Sequence, residues 1–228
     1  MKLRPVVSCI NSLTSIFSNW LDFRMKQLLH LIPSYIRDSK ALLNDLKSLH
    51  IPPGVKMFTA DASAMYTNID SNTGIQAISD LITTHQSSIP PDFPTDFFLT
   101  TLKIVMDSNI FSFGDTFWRQ LKGTAMGTPA APLYSILSYG QHENTQILNR
   151  YQPNILYYKR YIDDIFCLWH ETPDNQWEHL KLSLNGFSDL KWNIENLSDK
   201  TTFLDLQITI KNNNIQSSTY QRPMNLYT

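Results

Sequence analysis

The chain has 228 residues, 42% of them hydrophobic and 12% aromatic, and a formal net charge of −1. That apolar supply suits one sizeable domain or two small ones and excludes a disordered protein, while the near-neutral charge lacks the basic footprint that nucleic-acid binding usually leaves. No apolar run approaches the roughly 20 residues of a membrane span, and the start lacks the order of a signal peptide. Cys9 and Cys167 stand far apart without His or Cys at ligand spacing, so neither a disulfide framework nor a zinc site is indicated, and a soluble, intracellular, reducing setting is expected.

In chain order, Leu13, Ile16, Phe17, Trp20, Leu21, Met25, Leu28 and Leu29 recur at helical spacing and predict a helix over 12–31, ended by Pro33. Asp38 caps a second helix to about Leu49, stopped by Pro52-Pro53-Gly54. This first stretch is basic, with seven Lys or Arg against three Asp over positions 1–50. The excess reads either as a stripe that tracks phosphates or as an ordinary solvated helix surface. A strand over Val55–Asp61 follows, then helices from Ser71 or Asn72 to Thr84 and from the Pro-rich loop at 89–94 to Asp107. Phe111–Phe113 and Thr116–Leu121 form a hairpin about Gly114-Asp115. A loop at Gly123 opens a helix to about Leu148, strands at 154–161 and 165–169 form a second hairpin, and a helix spans 174–184. Strands at 191–196, 202–211 and 215–222 complete the chain. Helices on one face of an antiparallel sheet make an α+β, ferredoxin-like core.

Two features carry chemistry. Asp163 and Asp164 are adjacent at the second hairpin's tip, where carboxylates repel unless a cation lies between them; both are also ordinary turn formers. Asp61 ends the first strand, where it either joins them or merely caps the segment that follows. Three carboxylates, completed by substrate phosphates and water, would be an oxygen ligand set of the kind Mg²⁺ prefers. The six histidines are scattered and suggest no cluster.

Around these carboxylates stand further motifs in order: Arg4-Pro5-Val6-Val7-Ser8, Asp61 with Met65-Tyr66-Thr67-Asn68-Ile69, Gly123-Thr124-Ala125-Met126-Gly127, Tyr161-Ile162-Asp163-Asp164, Phe203-Leu204-Asp205-Leu206 and Ser218-Thr219-Tyr220-Gln221-Arg222-Pro223. This set resembles reverse transcriptases, most closely those of Penelope-like retroelements, and runs through nearly the whole chain. The resemblance implies an RNA-directed DNA polymerase palm at 55–228, preceded by partial helical fingers at 1–54, with no thumb and no room for a GIY-YIG nuclease. It also implies Asp61, Asp163 and Asp164 as catalytic ligands of two Mg²⁺ ions, for which Mn²⁺ could substitute, with the Ala62 carbonyl as an extra ligand.

By the same resemblance, Tyr66 lies under the incoming sugar and excludes a 2′-hydroxyl, while Arg4, Gln120 and Gly123 bind the nucleotide. Lys122, Gly127, Tyr220 and Arg222 contact primer or template, and Asp205 is structural. The implied partners are an RNA template, a DNA primer and deoxynucleoside triphosphates, with nuclear action following from copying into chromosomes. Two positions depart from the family pattern, Ala130 where a larger residue is common and Asp70 where a proline is. A fragment or decayed copy, retaining nucleic-acid binding without catalysis, is the competing expectation.

Overall fold

The structure is a computed structural model that describes residues 12–221. It divides into two compact units, one of 1–33, 63–145 and 185–190, the other of 34–62, 146–184 and 191–228. Residue 54, the boundary expected from the sequence, falls inside the 34–62 segment of the second unit.

The first unit is mainly helical: α1 (Ser15–Lys26), α3 (Met65–Asn68), α4 (Ser71–Thr84), α5 (Thr95–Asp107) and α6 (Ala131–His142), with the hairpin β2 (Ile110–Phe113) and β3 (Thr116–Arg119). The apolar stripes read from the sequence are its core. Leu21 and Met25 of α1, Ile78 and Leu81 of α4, Phe98 of α5 and Leu137 of α6 are all fully buried. Trp20 meets Phe97 edge-on at 5.1 Å between ring centroids, an arrangement that aromatic quadrupoles favour. The long first helix predicted over 12–31 is shorter than its pattern: α1 stops at Lys26 and the chain continues in a single 3₁₀ turn, Leu29–Leu31. The helix expected to reach Leu148 likewise leaves α geometry after His142 for a π turn, Glu143–Leu148.

The second unit holds α2 (Ser39–Lys47), β1 (Val55–Ala62), β4 (Ile155–Tyr161), β5 (Asp164–His170), α7 (Gln176–Leu184) and β6 (Trp192–Ile194), then β7 (Lys200–Phe203), β8 (Leu206–Lys211) and β9 (Asn214–Thr219). Strands β4-β5-β1-β6 form one antiparallel sheet in that order, the ferredoxin-like arrangement expected from the sequence. One face of this sheet carries Val55, Met57, Phe166 and Leu168 into a buried cluster with Leu42 and Leu46 of α2 and Phe203 and Ile208 of the second sheet. On the other face Phe58 packs edge-on against Trp177 of α7, with ring centroids 4.8 Å apart. Cys167 is a buried free thiol whose titration burial pushes up, so it behaves as a small apolar core residue.

The single strand predicted over 202–211 is a correction. It is two strands, β7 and β8, turned at Leu204-Asp205 with Phe203 opposite Leu206. Leu204 takes a left-handed φ of 53°. Glycine or asparagine usually marks such a turn, so apolar residues through it read as one continuous strand.

Asp70 has a structural reason to stand where it does. Its carboxylate accepts from the Thr73 N–H at 2.9 Å and the Thr73 hydroxyl at 3.0 Å, capping α4 in a way that proline could not. The Thr73 amide bond, opposed by partial burial, holds the Asp70 carboxyl below the usual carboxylate range. A depressed folded value contributes stability that is present above the unfolded value near ~3.9 and is lost as pH falls through the folded one. Replacing Asp70 with Ala is expected to cost about 1 kcal/mol in urea unfolding at neutral pH. Asp70→Asn should keep most of that cap yet flatten the acid limb of the stability profile, which denaturation from pH 6 downward would measure.

Candidate nucleotidyl-transfer site

In the second unit, the register of β1 against β5 decides which carboxylates meet. Asp61 is directly opposite Asp164, and on its other side Asp61 is opposite Asn193 of β6. Directly opposed residues project from the same face with Cβ atoms about 5 Å apart. Asp61 and Asp164 thus line one cleft of about 260 Å³, together with Asn193, Glu195, Leu204 and Tyr220. Tyr220 is anchored there by its N–H, which donates to the Asp205 carbonyl at 2.8 Å. The Asp205 carbonyl thus ties the β7–β8 turn to Tyr220, which lines the acidic cleft.

Asp164 is the first residue of β5 and not part of the tip, because Tyr161 pairs with Asp164 and leaves only Ile162-Asp163 as the loop. Ile162 sits at φ 49°, where a β-branched side chain is strained by roughly 1–2 kcal/mol. Two hydrogen bonds hold this turn: Arg160 Nη1 donates to the Ile162 carbonyl at 2.8 Å, and the Ala62 N–H donates to the Asp163 carbonyl at 2.8 Å. Ala62 ends β1 and fastens the tip through its amide. Sequence reading missed Arg160, a buried guanidinium beside the motif, since a basic residue in a strand gives no sign of facing inward.

Glu195 was also missed. Its carboxylate accepts from the Thr59 hydroxyl at 2.7 Å and from the Thr201 hydroxyl at 3.2 Å, which fixes it at the cleft wall. The signal available was its place two residues after Asn193, just beyond β6, once Asp61 had been placed.

Among the described residues, no three His, Cys, Asp or Glu side chains stand together in the geometry of a ready metal cluster. Mg²⁺ does not require one: it is commonly held by one or two carboxylates, with substrate phosphates and water completing its shell. The paired Asp61 and Asp164 on an open cleft fit that donor set, with Asp163 one residue away at the tip.

In the first unit, the loop before α6 closes on α3. The Tyr66 carbonyl accepts from the Thr124 N–H at 2.6 Å. Gly123 has φ 72°, and a Cβ there would stand within 3.0 Å of the Tyr66 carbonyl oxygen and of Thr67 Cα. Only glycine permits that approach. Gly127 also has a positive φ, of 113°. The Gln120 side-chain amide donates to the Lys122 carbonyl at 2.8 Å, and Lys122 forms an ion pair with Asp189. Tyr66, Gln120, Lys122 and Gly123 are therefore gathered at one loop. Ala130 is fully buried, and its N–H donates to Ser18 Oγ at 3.1 Å. Arg4 and Arg222 lie outside the described residues.

No protein-family model matches the chain, and no curated protein matches it in sequence. Solved structures do match. Telomerase from Candida albicans in complex with a fragment of telomeric RNA superposes with a TM-score of 0.65 at 12% identity, covering 93% of this chain and 40% of that one. Apo telomerase from Candida tropicalis truncated of its C-terminal domain gives 0.62 at 14% identity, with 92% and 46% covered. The RNA polymerase complex inside a dsRNA virus gives 0.61 at 12% identity, with 86% and 19% covered. The chain spans less than half the length of each of these structures, and it shares with them a nucleic-acid polymerase fold. No helix among the described residues is long and apolar enough to cross a membrane.

The glycine at the loop gives a test of the geometry. Gly123→Ala should lower stability by more than the roughly 1–2 kcal/mol of a left-handed backbone alone, because it also meets α3. Gly114→Ala, with φ 58° and nothing within 4 Å, should lose no more than that backbone cost. Equal midpoints in urea would show that the loop does not press on Tyr66 and Thr67.

Proposed function

We propose that this polymerase-fold chain is the catalytic core of a reverse transcriptase of the Penelope-like retroelement kind, adding deoxynucleotides to a DNA primer on an RNA template. The observation that carries the reading is Asp61 paired with Asp164 on an open cleft, beside a tip held at Asp163. The ordered motifs that resemble that family, and the fold shared with telomerase, support it.

Mg²⁺, or Mn²⁺ in its place, would be held by Asp61, Asp163 and Asp164, with the Ala62 carbonyl beside them, and when bound would supply charge neutralisation and activation of an attacking hydroxyl. The chain's own part is positioning. Paired strands fix the carboxylates before substrate arrives, so little reorganisation is needed as charge develops on the α-phosphate. The primer 3′ oxygen forms a bond to that phosphorus while the bond to pyrophosphate breaks, and the hydroxyl proton leaves toward the carboxylate-lined cleft. Tyr220, on the same cleft, would hold the primer end. Gly123 and Gly127 allow close backbone approach to nucleotide and template, assisted by Gln120 and Lys122, and Arg4 and Arg222 are assigned to triphosphate and primer. Tyr66 discriminates against ribose by steric exclusion. Copying into chromosomes would imply action in the nucleus.

The viral RNA polymerase likeness favours one second reading, an enzyme that polymerises ribonucleotides. Nucleotide choice separates the two.

Primer extension on an RNA template with Mg²⁺ and deoxynucleotides is the decisive assay. Asp163→Asn with Asp164→Asn should lower the rate by at least about 10³-fold, the scale of several kcal/mol of metal-assisted stabilisation. Extension that survives the double substitution would refute the assignment; folded wild type without any extension would favour a non-catalytic nucleic-acid-binding remnant. In a competition of ribo- against deoxynucleotides, Tyr66→Ala should incorporate ribonucleotides that wild type rejects, and unchanged selectivity would remove Tyr66 from that role.

A further inference from the structure

The β2–β3 hairpin does not follow the rule that large apolar side chains are covered. All four residues of β3 are exposed, Phe117 at 80% and Trp118 at 57%, and Leu121 just beyond is exposed at 87%. Scattered exposed hydrophobics need no explanation, but several large apolar side chains uncovered on one short hairpin mark a surface that something occupies. The pairing sorts these residues by face. Trp118 is directly opposite Phe111, so the two rings share one face, while Phe117, opposite Ser112, lies on the other.

The Phe111–Trp118 face borders a cleft of about 250 Å³ that is also lined by Thr67, Thr124 and Met126 and by Arg119, Gln120 and Lys122. The Trp118 ring is pinned by its indole N–H, which donates to Thr116 Oγ1 at 2.9 Å. A pinned ring loses little freedom on binding.

We infer that this cleft takes one unpaired base of a single-stranded nucleic acid, stacked on Trp118 and Phe111. Three features select that occupant over an apolar peptide or a second copy of this chain. Two aromatic side chains, Phe111 and Trp118, line a cleft whose size suits one planar ring system. The Gln120 side chain, whose amide nitrogen donates to the Lys122 carbonyl, keeps its oxygen as an acceptor for a base edge. Exposed Arg119 suits a flanking phosphate, and Lys122 reaches the same charge because its exposed pair with Asp189 is weakly held. Aromatic platforms beside basic side chains are how proteins hold single strands without reading sequence. The inference rests on the polymerase reading for its meaning, as the place where a strand is held unpaired next to the Gly123 loop. It goes beyond that reading in assigning a stacking site to the hairpin.

Fluorescence anisotropy with a labelled single-stranded RNA, the same sequence as single-stranded DNA, and a blunt duplex tests it on the full chain. Trp118→Ala should weaken single-strand binding by about ten- to a hundredfold and leave duplex binding nearly unchanged, and Trp118→Tyr should restore most of it. Phe117→Ala, on the opposite face, should bind as wild type does. Loss on RNA alone or on both single strands supports the site and identifies the strand it accepts. Unchanged binding in Trp118→Ala, equal loss on duplex, equal loss in Phe117→Ala, no single-strand binding by wild type, or a change only in self-association would each overturn it. Extension assayed in parallel separates the two claims. Carboxylate-dependent extension with Trp118→Ala binding normally refutes the stacking site alone; binding that needs Trp118 with no extension refutes the polymerase alone.

Discussion

The pairing of β1 with β5 is the constraint on which the site depends. Side chains alternate along a strand with period two, so a slip of one residue would turn Asp61 to the opposite face from Asp164 and would also expel Val55 and Met57 from the core. The same register that buries the apolar end of β1 therefore presents its acidic end. Packing energy holds two carboxylates together that would otherwise repel, and the repulsion becomes useful where a cation and phosphates are to be bound.

The cost of this arrangement is concentrated at the hairpin tip. Ile162 is held in a left-handed backbone conformation that a β-branched residue avoids, and Arg160 is buried beneath it. Strained positions of this kind persist when surrounding contacts over-determine them, here the Arg160 guanidinium and the Ala62 amide. The Gly123 loop is built by a different device. There the absence of a side chain allows one backbone to lie against another, so that loop and α3 are placed by contact and not by pairing. Two rigid assemblies result, one acidic and one glycine-lined.

Much of this was legible in the residues. The amphipathic helices, the Asp38 cap, β1 and the acidic hairpin follow from periodicity and capping chemistry, and Asp38 does accept from the Ala41 N–H at 2.8 Å. Tyr220 was expected near the reacting centre only through family resemblance, and the fold places it on the acidic cleft. Illegible were the Leu204-Asp205 turn, which lacks its usual residues, and the inward orientation of Arg160. Glu195 was hidden for a further reason: one of its two threonine partners, Thr59 of β1, lies 136 residues away in sequence.

By itself, the sequence determined which segments would be helix or strand and which carboxylates, glycines and aromatics were available, because those are local properties of spacing, propensity and side-chain chemistry. Only the tertiary structure decided that Asp61 faces Asp164, that Tyr220 and Glu195 share their cleft, and that Phe111 and Trp118 form one exposed face. Those facts depend on strand register and on contacts between residues remote in sequence, which burial of the core selects and no local pattern encodes.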